Sequence, residues 1–243
     1  MPKKLLRKLI FGSFCVSGAV IIVGFFWRFP GLFYLELILP FLSVVMHAAW
    51  RWGARRTVGL ALAAMAIGWL AEFSGLRFGV LFGGHYLYNN LGPVVAGVPL
   101  AVMAYWFVFM YTADCLTGET GIISGALIDA ILMVAIDLFL DPVMTKAGFW
   151  RWLEGGAYFG IPAGNFFGWF LTALAIGLVF RLVAKPVSDD RLLSFIPTLG
   201  YLLIMFGLLG SALNLGRTDI AITGVLFMGL PLGLLALLRQ ASR

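Results

Sequence analysis

Charge is scarce in this chain: 17 Lys and Arg and 11 Asp and Glu supply 12% of its 243 residues, and 62% are hydrophobic. A water-soluble domain usually carries about a quarter of its residues as charge. This composition leaves too little polar sequence to cover a core with a wetted surface. Cysteine and histidine are nearly missing, at two each. Cys15 and Cys115 fall in separate apolar stretches, which argues against a disulfide framework, and together with His47 and His85 they show no metal-ligand spacing. The sequence contains neither a glycine-rich phosphate loop nor a nucleophile elbow. Those absences set aside P-loop nucleotide chemistry and the α/β-hydrolase mechanism.

What the chain does have is apolar runs of near-spanning length from end to end, each close to the roughly 20 residues that cross about 30 Å of hydrocarbon. The expected fold class is all-α, a polytopic transmembrane bundle of about eight spans, near 9–27, 33–50, 57–76, 98–116, 121–140, 161–183, 192–213 and 219–238. Residues 1–243 are expected to form a single integral membrane domain. The first span follows KKLLRK without a convincing cleavage signal and is read as a retained helix. An even number of spans places both ends on one side. Five basic residues (Arg28, Arg77, Lys146, Arg151, Arg217) fall on the opposite side and the other twelve of the 17 on the side of the ends, so the positive-inside bias makes both termini cytoplasmic in a multi-pass protein of the cell membrane. The basic flanks suit contact with anionic lipid rather than nucleic acid.

Against this background the acidic residues stand out. Ionised carboxylates in hydrocarbon cost several kcal/mol, so they face protein or cavities and mark function. Glu72 (in AEFSG), at the end of the third span, and Asp137 and Asp141 (in IDLFLDP), at the end of the fifth, lie at one membrane level, with Pro142 expected to stop the fifth helix. The outer loops near 77–97 and 141–160 connect helices on that side and bring His85, Glu154 and Asn165 to the same level. Asp137 and Asp141 share a helix face about 6 Å apart along the axis, and Asp129 lies roughly 12 Å deeper and about 80° around, a candidate for the floor of the same cavity. Local roles compete: Asp141 before a proline suits a turn, Glu72 has Arg77 nearby, and Asp129 suits an interhelical hydrogen bond. Asp114, Glu119, Asp189, Asp190 and Asp219 read as structural or flanking charges.

Tyr86, Tyr88, Trp150, Trp152 and Tyr158 crowd the same loops, either as an interfacial aromatic belt or as a lining able to stabilise a cation. His85 could shuttle a proton or simply bind a neighbouring carboxylate. Gly160, Gly164 and Gly168 form a four-residue stripe best explained by close packing.

Two stretches, AEFSGLRFGVLFGGHYLYNNLGPVVAGVP from Ala71 to Pro99 and DLFLDPVMTKAGFWRWLEGGAYFGIPAGNFFGW from Asp137 to Trp169, resemble the membrane-integral carotenoid biosynthesis proteins that include the bacterioruberin-type and gamma-carotene hydratases. Family members often carry a further proline after the GVP element, where this chain reads LAVMAYW. The resemblance implies an enzyme that adds water across the terminal C=C of an acyclic psi-end to give a tertiary alcohol. It implies catalytic positions at Glu72, Asp137, Asp141 and His85, and substrate contacts at Tyr86, Tyr88, Asp129, Trp150, Trp152, Tyr158 and Asn165. Asp137 or Glu72 would be the acid, with the remaining carboxylate activating water. Such a scheme needs no cofactor and no metal. The partners are then a hydrophobic acyclic carotenoid reached through the lipid, water and membrane lipid, with room for association with other carotenoid-synthesis enzymes. The same carbocation also serves isomerisation or cyclisation of an isoprenoid end. Intramembrane acids suit a small transporter too, although no inverted repeat is evident, and a non-catalytic carotenoid-binding subunit would need the acids only as structural groups.

Overall fold

The architecture is that of a computed structural model, which describes residues 3–27, 29, 31–184 and 193–241. The helices are α1 (Lys3–Phe26), α2 (Leu32–Trp52), α3 (Ala54–Phe78), α4 (Leu100–Thr117), α5 (Ile122–Lys146), α6 (Ala163–Val183), α7 (Ile196–Asn214) and α8 (Thr218–Ala241). Among the described residues, 8 helices are long and apolar enough to cross a membrane. Such runs fold as helices because hydrocarbon offers no partner for a backbone N–H or C=O, so each segment must satisfy its own. The innermost helices are α4 and α5, whose spans are the most buried. Helix α5 packs chiefly on α6 and α8, α3 on α4, and α1 on α2 and α7. Cys15 and Cys115 are both free.

The predicted gap between the second and third spans closes to one residue. Helices α2 and α3 run to either side of Gly53, whose φ of 83° reverses the chain at a point where L side chains are strained. The predicted stop at Pro142 is corrected: α5 continues through it to Lys146. A proline inside a helix orphans the carbonyl four residues earlier, and here the Tyr158 hydroxyl donates to Leu138 O at 2.8 Å. The solution recurs. Pro40 lies inside α2, and the Tyr105 hydroxyl donates to Glu36 O at 3.1 Å and Leu37 O at 3.0 Å. Pro231 lies inside α8, and there the Tyr201 hydroxyl donates to Met228 O at 3.0 Å, three residues before the proline rather than four. A tyrosine on another element supplies the donor beside each internal proline.

The loops on the Glu72 side are ordered by pairing. Strands β1 (Tyr86–Tyr88) and β4 (Trp150–Trp152) form an antiparallel ribbon with Tyr86 opposite Trp152 and Tyr88 opposite Trp150. A second ribbon joins β2 (Val94–Val95) to β3 (Val98–Pro99), which leads into α4. The two-residue period of YLY and WRW turns the four rings inward and Leu87 and Arg151 outward. The predicted glycine stripe is a packing surface at two of its three positions. The loop backbone at Leu81–Gly83 lies against Gly164 and Gly168, where any Cβ would collide with it, whereas Gly160 faces open space. Of the charges used to orient the chain, Arg28, Lys185, Arg191 and Arg243 lie outside the described residues, as do Asp189 and Asp190.

Candidate active site

Glu72, on the last turns of α3, is buried beneath the β1–β4 ribbon. Among the described residues its carboxylate accepts from three side chains: the Tyr86 hydroxyl at 2.6 Å and the Tyr88 hydroxyl at 2.7 Å to Oε2, and the Trp106 indole at 3.2 Å to Oε1. The Tyr86 hydroxyl also lies 3.1 Å from Glu72 O. Desolvation, reinforced by the neighbouring Glu72 charge, pushes both phenols well above their ordinary range, so they remain O–H donors. The alternation of β1 puts both hydroxyls on one face, which is why two tyrosines two residues apart reach the same oxygen.

Asp137 and Asp141 follow one face of α5, as their spacing requires, and both are buried. Asn165, at the start of α6, binds them together: its Nδ2 donates to Asp137 Oδ2 at 2.8 Å and to Asp141 Oδ2 at 2.6 Å. The indole N–H of Trp150 faces Asp141 but falls outside hydrogen-bond geometry, and Asp137 Oδ1 is buried without a hydrogen-bond partner. The Trp152 indole is committed to Phe82 O at 3.1 Å. Ring centroids separate Tyr86 from Trp152 by 5.5 Å and Tyr88 from Trp150 by 5.7 Å, so the ribbon forms an aromatic lid over the acids.

Glu72, Asp141 and Asn165 open onto an elongated, mostly apolar chamber walled by α1, α2, α4 and α7. The lining runs along α2 from Phe33 to His47 and along α7 from Ile196 to Ser211, about 20 Å at 1.5 Å of rise per residue. Tyr86, Tyr88, Trp150 and Trp152 line its acidic end, and Asp137 sits behind Asp141 rather than in the lining.

Not every expected residue joins this group. Asp129 is not at the chamber floor. It forms an ion pair with Arg181 of α6, Nη2 to Oδ1 at 3.0 Å, while the same guanidinium reaches Asp114 Oδ1 at 3.1 Å and Gly118 O at 2.6 Å. The pull of an arginine from the last turn of α6 overrides the angular argument from α5 alone. His85 and Glu154 also stay outside. They bind each other, His85 Nδ1 to Glu154 Oε1 at 3.2 Å with the His85 backbone N–H donating to Oε2 at 3.0 Å, on side chains about half exposed to solvent. Hydrogen bonds from its own backbone and from His85 hold the Glu154 carboxyl below the usual range. Tyr158 is spent on Leu138 O, and burial, with Asp137 adding to it, raises its phenol to about 12.

Three lining residues were not singled out from the sequence. Trp106 and Trp169 form a tilted ring pair at 4.4 Å beside Glu72, inside helices so uniformly apolar that no stripe distinguishes one ring from another. Glu36 also lines the chamber, and it carried the same signal as Glu72: a lone acid in an apolar run, FYLELILP.

The fold and the site define a helical membrane bundle with carboxyl groups at one end of a long, mostly apolar chamber. The sequence matches the family described as carotenoid biosynthesis protein over residues 20–231, and the chain belongs to that family. No curated protein and no solved structure matches significantly.

Proposed function

We propose that the protein is a carotenoid hydratase, adding water across the terminal C=C of an acyclic psi-end to give a tertiary alcohol. The observation that carries this reading is that Glu72 and Asp141, from different helices, open together onto the same end of an apolar chamber. A donor and an acceptor of protons are thereby set on one reacting end, and the remaining length is left to hydrocarbon.

The hydrogen bonds suggest the division of labour. Glu72 is surrounded by donors, the environment of a carboxylate. Asp141 has one shared amide donor and a second carboxyl beside it, where one proton between the two avoids placing two charges together. Asp141 then gives its proton to the less substituted CH carbon of the terminal double bond, and the electron pair of that bond forms the new C–H bond. The tertiary cation left next to it is faced by Trp106, Trp150 and Tyr88, whose π-faces attract positive charge. Water adds to the cation and loses a proton to Glu72. Return of that proton to the aspartate pair restores the starting state, so alkene and water give alcohol with no net redox change. Asp137 and Asn165 act as positioning residues that hold Asp141 and its proton.

Co-expression with a pathway supplying an acyclic carotenoid, followed by mass analysis of the pigments, tests the reading. The expected product has gained one water and disappears with Asp141→Asn or Glu72→Gln. A new pigment of unchanged mass would instead indicate isomerisation or cyclisation through the same cation, and no new pigment from any acyclic substrate would overturn the enzymatic reading.

A further inference from the structure

Glu72 and Asp141 share the chamber with a further carboxyl. Glu36 of α2 lines it as well, and no step of the proposed reaction uses it. Adjacent residues of α4 bring it to the level of the acids: the Tyr105 hydroxyl donates to Glu36 O at 3.1 Å, and the Trp106 indole donates to the Glu72 carboxylate at 3.2 Å. Glu36 nevertheless lies nearer a helix end, about 6 Å inside the start of α2, against about 8 Å for Asp141 before the end of α5 and about 9 Å for Glu72 before the end of α3. Side chains lean toward the start of their own helix. Because α2 starts at this end of the bundle and α3 stops there, the Glu36 side chain leans out toward the interface and that of Glu72 leans inward. The Glu36 carboxyl lies against the last turn of α1, in space that any Cβ on Gly24 would occupy. On its other flank that turn meets α7: a Cβ on Gly210 would strike the Phe25 ring, and Asn214 Nδ2 donates to Phe25 O at 3.1 Å. Ser211, on the same last turn of α7, lines the chamber. The end of α1 is thus a wedge whose two seams carry Glu36 and Ser211, polar groups at the rim of a mostly apolar chamber. The four rings of the β1–β4 ribbon occupy the loop side of the acids.

We propose that this polar rim, where the last turn of α1 meets α2 and α7, is the inlet through which water reaches the acids, with Glu36 holding the entering water. The inference rests on the hydratase reading for the use made of the water, but the path itself can be measured without turnover. Hydration consumes a water at each double bond, and an entrance lined by hydrocarbon alone would strip that water of its hydrogen bonds. A carboxyl at the rim replaces them. The role requires polarity and not titration, so Glu36→Gln still holds water and Glu36→Leu does not. That separates Glu36 from Glu72 and Asp141, whose amide variants lose the proton transfer.

The test uses the full-length protein in nanodiscs, with Cys15→Ala and Cys115→Ala removing its two cysteines and Ser211→Cys supplying a single thiol. Exchange of S–H for S–D on transfer to heavy water, followed by the infrared S–H band, reports water contact at the rim. Hydration is read from product mass per folded molecule. Glu36→Leu is expected to slow the exchange and to lower hydration, each by about tenfold or more, the worth of a hydrogen bond to a charged group. Glu36→Gln should restore most of both. A thiol placed instead by Leu230→Cys, on an exposed face of α8, serves as the control and should not respond to Glu36→Leu. Unchanged exchange at Ser211→Cys in the Glu36→Leu protein overturns the inlet even where hydration proceeds. Loss of hydration in Glu36→Gln equal to that in Glu36→Leu overturns it as well, by placing Glu36 in the proton transfer. Conversely, exchange that depends on Glu36 in a protein that yields no hydrated product would sustain the inlet and sink the hydratase reading.

Discussion

At the residue scale the chemistry depends on how two buried acids are surrounded. Glu72 accepts from three donors, whereas Asp141 shares one amide with Asp137, and in the proposed mechanism this difference assigns Glu72 as the water-activating base and Asp141 as the proton donor. Replacing Asp141 by Asn or Glu72 by Gln keeps size and hydrogen-bonding reach while removing the proton-transfer function. Each is expected to lower hydration by about 10²–10⁴-fold with the fold retained, as read by pigment mass and size-exclusion profile. His85 and Glu154 give the contrasting case. The folded-state pKa of Glu154 is lowered, so its contribution to stability is present above the ordinary glutamate value and is lost as pH falls through the lowered folded value. The pair is exposed, and such pairs are weak. Glu154→Gln should therefore leave hydration near neutral pH close to that of the unmodified protein, and any difference in melting temperature should vanish at low pH. A collapse of activity in Glu154→Gln would bring this pair back into the reaction.

At the scale of elements, the prolines show where sequence reading reaches its limit. Span number and approximate bounds were legible because backbone satisfaction in hydrocarbon forces long apolar helices. The end of α5 was not legible, because the rule that proline stops a helix is local and the group that cancels it, the Tyr158 hydroxyl, arrives from a loop on a different element. Tyr158→Phe should cost about 1–3 kcal/mol, the penalty of an unsatisfied buried carbonyl, measured by thermal unfolding in detergent. Pro142→Ala restores an N–H for Leu138 O, so the cost of Tyr158→Phe should shrink in that background. Equal costs in both backgrounds would dissociate the tyrosine from the proline. The alternation in YLY and WRW pointed to rings on one side of each strand, but their pairing into a lid required the register of β1 on β4, which neither stretch carries alone.

At the scale of the whole molecule, polar groups divide between two ends of the bundle. One end holds Glu72, Asp137, Asp141 and Asn165, and the other holds Arg181 with Asp114 and Asp129, tying α4, α5 and α6 together. Convergence of the first group was visible in the sequence because its acids fall at the ends of the third and fifth spans, which the alternation of spans puts at one level. The placement of Asp129 was not, since it depends on an arginine a full span away. Arg181→Met leaves two carboxyls without their partner and should destabilise the protein by about 3–5 kcal/mol, while hydration per folded molecule stays near that of the unmodified protein. A selective loss of turnover at unchanged stability would place Asp129 in the reaction after all. The charge bias further predicts cytoplasmic termini, so reporter fusions at either end should report the cytoplasm and a cysteine at Leu87 should label from outside.

The most direct test of water capture at the Asp141–Glu72 end is conversion of an acyclic carotenoid by purified protein in ¹⁸O-labelled water. The account predicts one labelled tertiary hydroxyl for each end hydrated, and none in Asp141→Asn or Glu72→Gln. A labelled product formed equally well by both variants, or a product whose oxygen does not come from water, would contradict it.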